Sequence, residues 1–153
     1  MSSAAWRIIK SRYAAEAFSG EGARRFGGRW TSPGRSAVYT AEHASLAVLE
    51  VLVHLGSPRV LSAYSILRCE FDPALLRALD PAALPVDWRA SPAPPSLRRI
   101  GDRWLAEQES AVLGVPSAVL PLEHNYLLNP LHPDFPRLAL GAPTPFEFDP
   151  RLT

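Results

Sequence analysis

Glu50 stands in Val48-Leu49-Glu50-Val51-Leu52-Val53, the one charge in an apolar run. Glutamate is almost never fully buried unless it is paired. A carboxylate held among apolar neighbours can stabilise a developing cation or activate a hydroxyl. The alternative is an intrahelical pair with His54, four residues on, on a partly exposed face. Upstream, Arg29 follows Gly27-Gly28. Two glycines let a ligand approach the backbone while a guanidinium fork meets phosphate or carboxylate oxygens; the alternative is a surface arginine in a turn. Tyr39 ends a strand next to the Glu50 segment, where its ring serves either packing or as a platform for a planar ligand. Ser117, in Val115-Pro116-Ser117-Ala118-Val119, lacks the flanking glycines of G-x-S-x-G, which leaves it a hydrogen-bonding role rather than a nucleophilic one. Asn129 and His132 fall in a proline-punctuated stretch and read first as turn residues. The four histidines have no HExxH or cysteine-paired spacing, so no metal site is expected. There is no P-loop and no GxGxxG.

These side chains need elements to hold them. Trp6 to Ile9 reads as a first strand that includes Arg7. Residues 12–28, with four glycines, read as a loop. Arg29–Thr31 and Arg35–Thr40 read as two strands joined by a type II turn at Ser32-Pro33-Gly34. Thr40 is placed to cap a helix from Ala41 to Leu55, apolar nearly all round and so expected to lie buried on a sheet, with Gly56-Ser57-Pro58 ending it. Tyr64–Phe71 reads as a strand, and Asp72-Pro73 as the start of a short helix to Leu79. Residues 80–95 form a proline-rich irregular excursion. Ser96 is expected to cap a helix from Leu97 to Ser110 with Leu97, Ile100, Trp104, Leu105 and Gln108 along one side. Val112–Leu120 reads as a strand broken by Pro116, Leu122–Arg137 as loop, and Phe146–Phe148 as a closing strand. Strands and helices mix without regular βαβ alternation, which gives an α+β fold.

The composition fits one domain over residues 1–153. A formal net charge of +1 gives no argument for a nucleic-acid or anionic-membrane partner. Lys10 is the one lysine, so any bound anion meets planar guanidinium groups. Cys69 stands alone, which excludes an intrachain disulfide and fits a reducing, cytoplasmic setting. The start lacks the long apolar core of a secretory signal, and no apolar run approaches the ~20 residues of a transmembrane helix.

The ordered set Trp6-Arg7-Ile8, Phe18-Ser19-Gly20-Glu21-Gly22-Ala23, Gly27-Gly28-Arg29-Trp30, Ala37-Val38-Tyr39, Ala47 to His54, Val115 to Val119 and Asn125 to Pro133 resembles the RES domain, over residues 6–148. The arginine, glutamate and serine of the family's name would be Arg29, Glu50 and Ser117. Thr31 departs from the family's frequent asparagine. The resemblance implies an ADP-ribosyltransferase-like split β-sheet flanked by helices. It also implies a toxin of a type II toxin–antitoxin pair, with an Xre-like antitoxin as partner and a homodimer within the complex. NAD is then the substrate, cleaved at the nicotinamide–ribose bond with water or phosphate as acceptor, causing growth arrest; some relatives modify a protein instead. On this reading Glu50 stabilises the oxocarbenium-like state, Tyr39 stacks on nicotinamide, and Arg7 and Arg29 hold the pyrophosphate. Ser117 and Asn129 hydrogen-bond the ligand or orient Glu50. The remaining alternative is a non-enzymatic binding module with a structural Glu50.

Overall fold

The computed structural model describes residues 2–55 and 63–152. Its strands are β1 Ser3–Lys10, β2 Val38–Ala41, β3 Tyr64–Phe71, β4 Leu76–Ala78, β5 Val112–Pro116, β6 His124–Leu128, β7 Ala139–Leu140 and β8 Thr144–Phe146. The helices are α1 Glu21–Phe26, α2 Ala44–His54 and α3 Pro95–Glu107. One mixed sheet runs β4-β5-β6-β2-β1-β3-β7, with β8 also on β3. Only the β4–β5 pair is parallel.

The sheet is split near its middle. β1 aligns with β3 from Ser3↔Phe71 to Lys10↔Tyr64, and β2 with β6 from Val38↔Leu128 to Ala41↔Asn125. Between these halves β1 and β2 share a single register pair, Trp6↔Ala41. The strands part from there toward Lys10 and Val38. Just inside the fork, Arg7 Nη1 donates to the Tyr39 carbonyl at 2.7 Å and so satisfies a backbone acceptor that the ladder leaves open.

Apolar alternation explains the core. Ala5, Val38, Cys69, Phe71, Val112 and Leu128 form one cluster spanning both halves. Leu97, Trp104 and Leu105 of α3 pack with Leu113, Val115 and Leu127 of the sheet and with Trp30. Leu46 and Ala47 of α2 pack on Ala41, Trp6 and Ile8. Cys69 is fully shielded, and burial pushes its thiol up to about 11. In the folded protein it is expected to resist a thiol reagent at about pH 8 and to react once denatured, as followed by absorbance; equal rates in both states would contradict this placement.

Several elements depart from the sequence reading. Residues 12–28 are not a plain loop: a 3₁₀ turn covers Ser11–Glu16 and α1 follows. Arg29–Thr31 forms no strand, because Gly28 N–H is turned back onto the Thr31 carbonyl. Pro33-Gly34 makes the expected turn, with Gly34 at φ 94°. Thr40 does not cap α2; its hydroxyl donates to the Tyr126 carbonyl, and the cap position falls to His43. Nor is α2 buried all round, since Leu49 and Val53 are exposed. Its expected stop at Gly56-Ser57-Pro58 lies outside the described residues. Asp72 caps only a 3₁₀ turn, accepting from Ala74 N–H, after which the chain becomes β4. α3 starts at Pro95 rather than after Ser96, which suits proline at a first helical position, and Gln108 beyond its end is exposed. β5 stops at Pro116 instead of running to Leu120. The stretch 122–137 contains β6, a central strand.

Candidate functional site

The fork between β1 and β2 opens into a cleft of about 1560 Å³. That exceeds the roughly 300–1,000 Å³ of ordinary small-ligand sites. Its walls carry six basic side chains, Arg7, Lys10, Arg25, Arg29, Arg89 and Arg98, against three acidic ones, Glu16, Glu21 and Glu50. The imbalance is confined to the cleft, because the whole chain is near neutral. Glu21 is moreover bound to Arg24 and Arg25, which hold its carboxyl down to about 2. Such a concavity focuses a positive field on an anionic ligand.

Glu50 lies on α2, lines the cleft and is half-buried. Its Oε1 accepts from Ser117 Oγ at 2.8 Å; Oε2 makes no hydrogen bond among the described residues. The Ser117 hydroxyl in turn accepts from Val119 and Leu120 N–H, each at 3.1 Å. One donor and two acceptor positions are all a hydroxyl has. Ser117 is therefore saturated, and it is fully buried behind the cleft wall. It orients Glu50 and has no capacity left for a ligand. No ion pair joins Glu50 to His54 among the described residues.

Arg7 is a cation without a carboxylate among the described residues. Beyond its bond to Tyr39 O, its Nε is shielded and has no partner among the described residues, and burial pushes its pKa down to about 10. It stays charged at neutral pH, and an incoming anion would relieve the cost of its burial. Tyr39 receives Trp30 N–H on its hydroxyl at 3.1 Å and shares a 2.8 Å bond with Thr31 Oγ1. The threonine found where asparagine was expected thus holds the tyrosine. Burial pushes the Tyr39 hydroxyl above its ordinary value, so it remains neutral. A Cβ on Gly28 would fall onto this hydroxyl, which is why the residue over the ring is glycine.

Arg29 reaches the cleft but is partly engaged: Nη1 donates to the carbonyls of Trp88 and Ala90, at 3.1 and 2.8 Å. Two arginines the sequence reading missed complete this wall. Arg89 Nε donates to Ala118 O and Arg98 Nε to Gly28 O, each at 3.0 Å. The proline-rich excursion is thus a braced wall of the cleft. Asn125, also missed, lines the cleft and donates to Thr40 O. Asn129 is a correction. It is buried at the far end of β6, its Oδ1 accepting Leu131 N–H, and it does not reach the cleft. His132 closes the same turn, accepting Asp134 N–H on Nδ1.

The RES domain family model matches residues 4–149. The chain belongs to the RES domain family. It is 41% identical to Toxin Res of Yersinia enterocolitica, over 96% of this chain and 97% of that protein. It is 36% identical to the Prs ADP-ribosylating toxin of a Sphingobium species, over 99% and 98% respectively. The fold is similar to the crystal structure of the M. tuberculosis MbcT–MbcA toxin–antitoxin complex, with TM-score 0.76, 22% identity, 99% of this chain and 87% of that one. Within this RES domain, Arg29 and Glu50 both line the cleft, and Ser117 is hydrogen-bonded to Glu50 from behind the cleft wall. Among the described residues, no helix is long and apolar enough to cross a membrane, and no group of three or more His, Cys, Asp or Glu could hold a metal.

Proposed function

We propose that this RES-family protein is the toxin of a toxin–antitoxin pair and that it cleaves the nicotinamide–ribose bond of NAD. The observation that carries the reading is the Ser117-held Glu50 carboxylate in a cleft where basic side chains outnumber acidic ones. NAD combines an anionic pyrophosphate with a glycosidic bond whose cleavage generates positive charge on the ribose. As the C1′–N bond breaks, its electron pair leaves with nicotinamide, and the sugar passes through an oxocarbenium-like state. Glu50 stabilises that charge through the oxygen that Ser117 leaves free. Arg7 and Arg29 hold the pyrophosphate. Tyr39, with its hydroxyl anchored, offers a ring to nicotinamide. Water or phosphate then takes the ADP-ribosyl group.

A second reading has a specific support: the Sphingobium relative is named an ADP-ribosylating toxin. On that reading the acceptor for this chain is a protein side chain, and the same Glu50 step precedes transfer. The partner in either case is an antitoxin, a reading supported by the likeness in fold to a toxin–antitoxin complex, and we take it to be small and Xre-like. The setting is the cytoplasm, and a homodimer forms within the complex.

Purified protein is expected to release nicotinamide from NAD, followed by chromatography with and without phosphate. Acceleration by phosphate identifies the acceptor. Release only with cell extract, together with an ADP-ribose mass increment on one protein, selects the second reading. No release under any condition would reduce the chain to a binding module. Ser117→Ala is expected to lower turnover about 10²-fold through misplacement of Glu50. It should also cost about 1–3 kcal/mol of stability, since it strands the Val119 and Leu120 N–H groups. Full activity with unchanged melting would show that Ser117 does not position Glu50.

A further inference from the structure

Two large aromatic side chains are well exposed among the described residues, Tyr13 at 47% and Phe26 at 77%, and both line the cleft. Exposed aromatic rings on a concave cationic wall are what a nucleobase stacks on, because every base presents an apolar π-face. Nothing in the Glu50 chemistry uses them.

Their place in the fold is informative. The fork is closed at Trp6↔Ala41 and opens along β1 toward Lys10. Glu50 belongs to the closed side: its partner Ser117 follows Pro116, which pairs with His124, while Ala41 pairs with Asn125. Arg7 stands just inside the fork. Lys10 is three residues further along an extended strand, about 10 Å at ~3.3 Å per residue. Tyr13 follows on the 3₁₀ turn that continues β1. Phe26 ends α1, which is held against the start of β2 by the close approach of Gly20 to Ala37. Along the cleft the order is therefore carboxylate, cation, cation, aromatic rings. A dinucleotide has the same order: glycosidic bond, pyrophosphate, second base. The Arg12 guanidinium already lies over the Tyr13 ring, 4.8 Å from its centroid, which stiffens that ring as a platform.

We propose that Tyr13 and Phe26 form the subsite for the adenine base, the end of NAD farthest from the bond that breaks. The proposal rests on the NAD reading of the cleft. It makes the pair a selector of dinucleotide over mononucleotide.

The test compares NAD with nicotinamide mononucleotide, which has the same scissile bond and no adenylate. In Tyr13→Ala and Phe26→Ala the ratio of kcat/KM for NAD to that for the mononucleotide is expected to fall about tenfold each, in line with the loss of one stacking contact. Val86→Ala, exposed and outside the cleft, serves as the control and should leave the ratio as in wild type. A ratio unchanged in both aromatic variants overturns the subsite, as does equal loss on the two substrates. A second readout does not need turnover: calorimetric binding of ADP-ribose to Glu50→Gln should weaken about tenfold when Tyr13→Ala or Phe26→Ala is added. If wild type consumes neither substrate, the NAD-cleaving reading fails and this binding result alone decides the subsite. Unchanged ADP-ribose affinity, with loss of antitoxin binding instead, would assign the rings to a protein contact and overturn the proposal.

Discussion

Glu50→Gln is expected to reduce NAD cleavage by about 10³-fold or more while leaving the fold intact. The magnitude follows from the nature of the step. Preorganised electrostatic groups facing developing charge contribute on the order of 10²–10³ each, and here a full carboxylate charge, not a neutral donor, is withdrawn. Glutamine keeps the shape of the side chain, and its amide oxygen still accepts from Ser117 Oγ, so the change isolates charge from geometry. Affinity for NAD should change little, because Arg7 and Arg29, proposed to hold the pyrophosphate, are untouched. The effect then falls on kcat rather than KM. Glu50→Asp gives the complementary case: charge is kept, but a shorter side chain draws the carboxylate off the Ser117 hydroxyl. Nicotinamide release from glutamine variant and wild type at equal rates would refute the assignment of Glu50.

Gly101→Ala is expected to destabilise the protein by about 3 kcal/mol, near the upper end of ordinary overpacking. Gly101 sits on the buried face of α3, where an added Cβ would coincide with the Trp30 carbonyl oxygen and press on Thr31 Cγ2 at 3.1 Å. Backbone cannot yield as a flexible side chain does. At this chain length the loss corresponds to a fall in Tm of roughly 6–12 °C. The consequence also reaches the cleft, because Trp30 N–H and Thr31 Oγ1 both hold the Tyr39 hydroxyl. Activity should therefore drop even below the melting transition. Gly22→Ala supplies the contrast: nothing stands within 4 Å of a Cβ there, so melting should stay the same or rise slightly. Equal melting temperatures for Gly101→Ala and wild type would show that α3 can shift away.

Period and composition made β1, β3, α2 and α3 legible, because each has a run long enough to show its pattern. β6 was hidden because His124, Asn125 and the prolines that follow look like loop. It is a strand because β5 and β2 flank it on both sides and satisfy its backbone. The segment 29–31 fails as a strand for the opposite reason: its backbone serves the Tyr39 hydroxyl and a tight turn instead of a neighbouring strand. Glu50 was legible as a charge among apolar residues. Ser117 was legible as a hydrogen-bonding residue, but its saturation depends on a turn that only the fold reveals. Arg89 and Arg98 carry no local signature. Arg89 lines the cleft because the 80–95 excursion returns past it, and Arg98 because α3 packs beside Trp30, tertiary events that no spacing in the chain announces.

The single Trp6↔Ala41 pair also has a mechanical meaning. The sheet behaves as two prongs joined at their root, one stiffened by eight aligned pairs between β1 and β3, the other by four between β2 and β6. Any load that spreads the mouth of the cleft acts with leverage on that root and on the Arg7–Tyr39 bond beside it. The gap between the prongs is therefore gauged where they join, and side chains near the mouth can vary without resetting it.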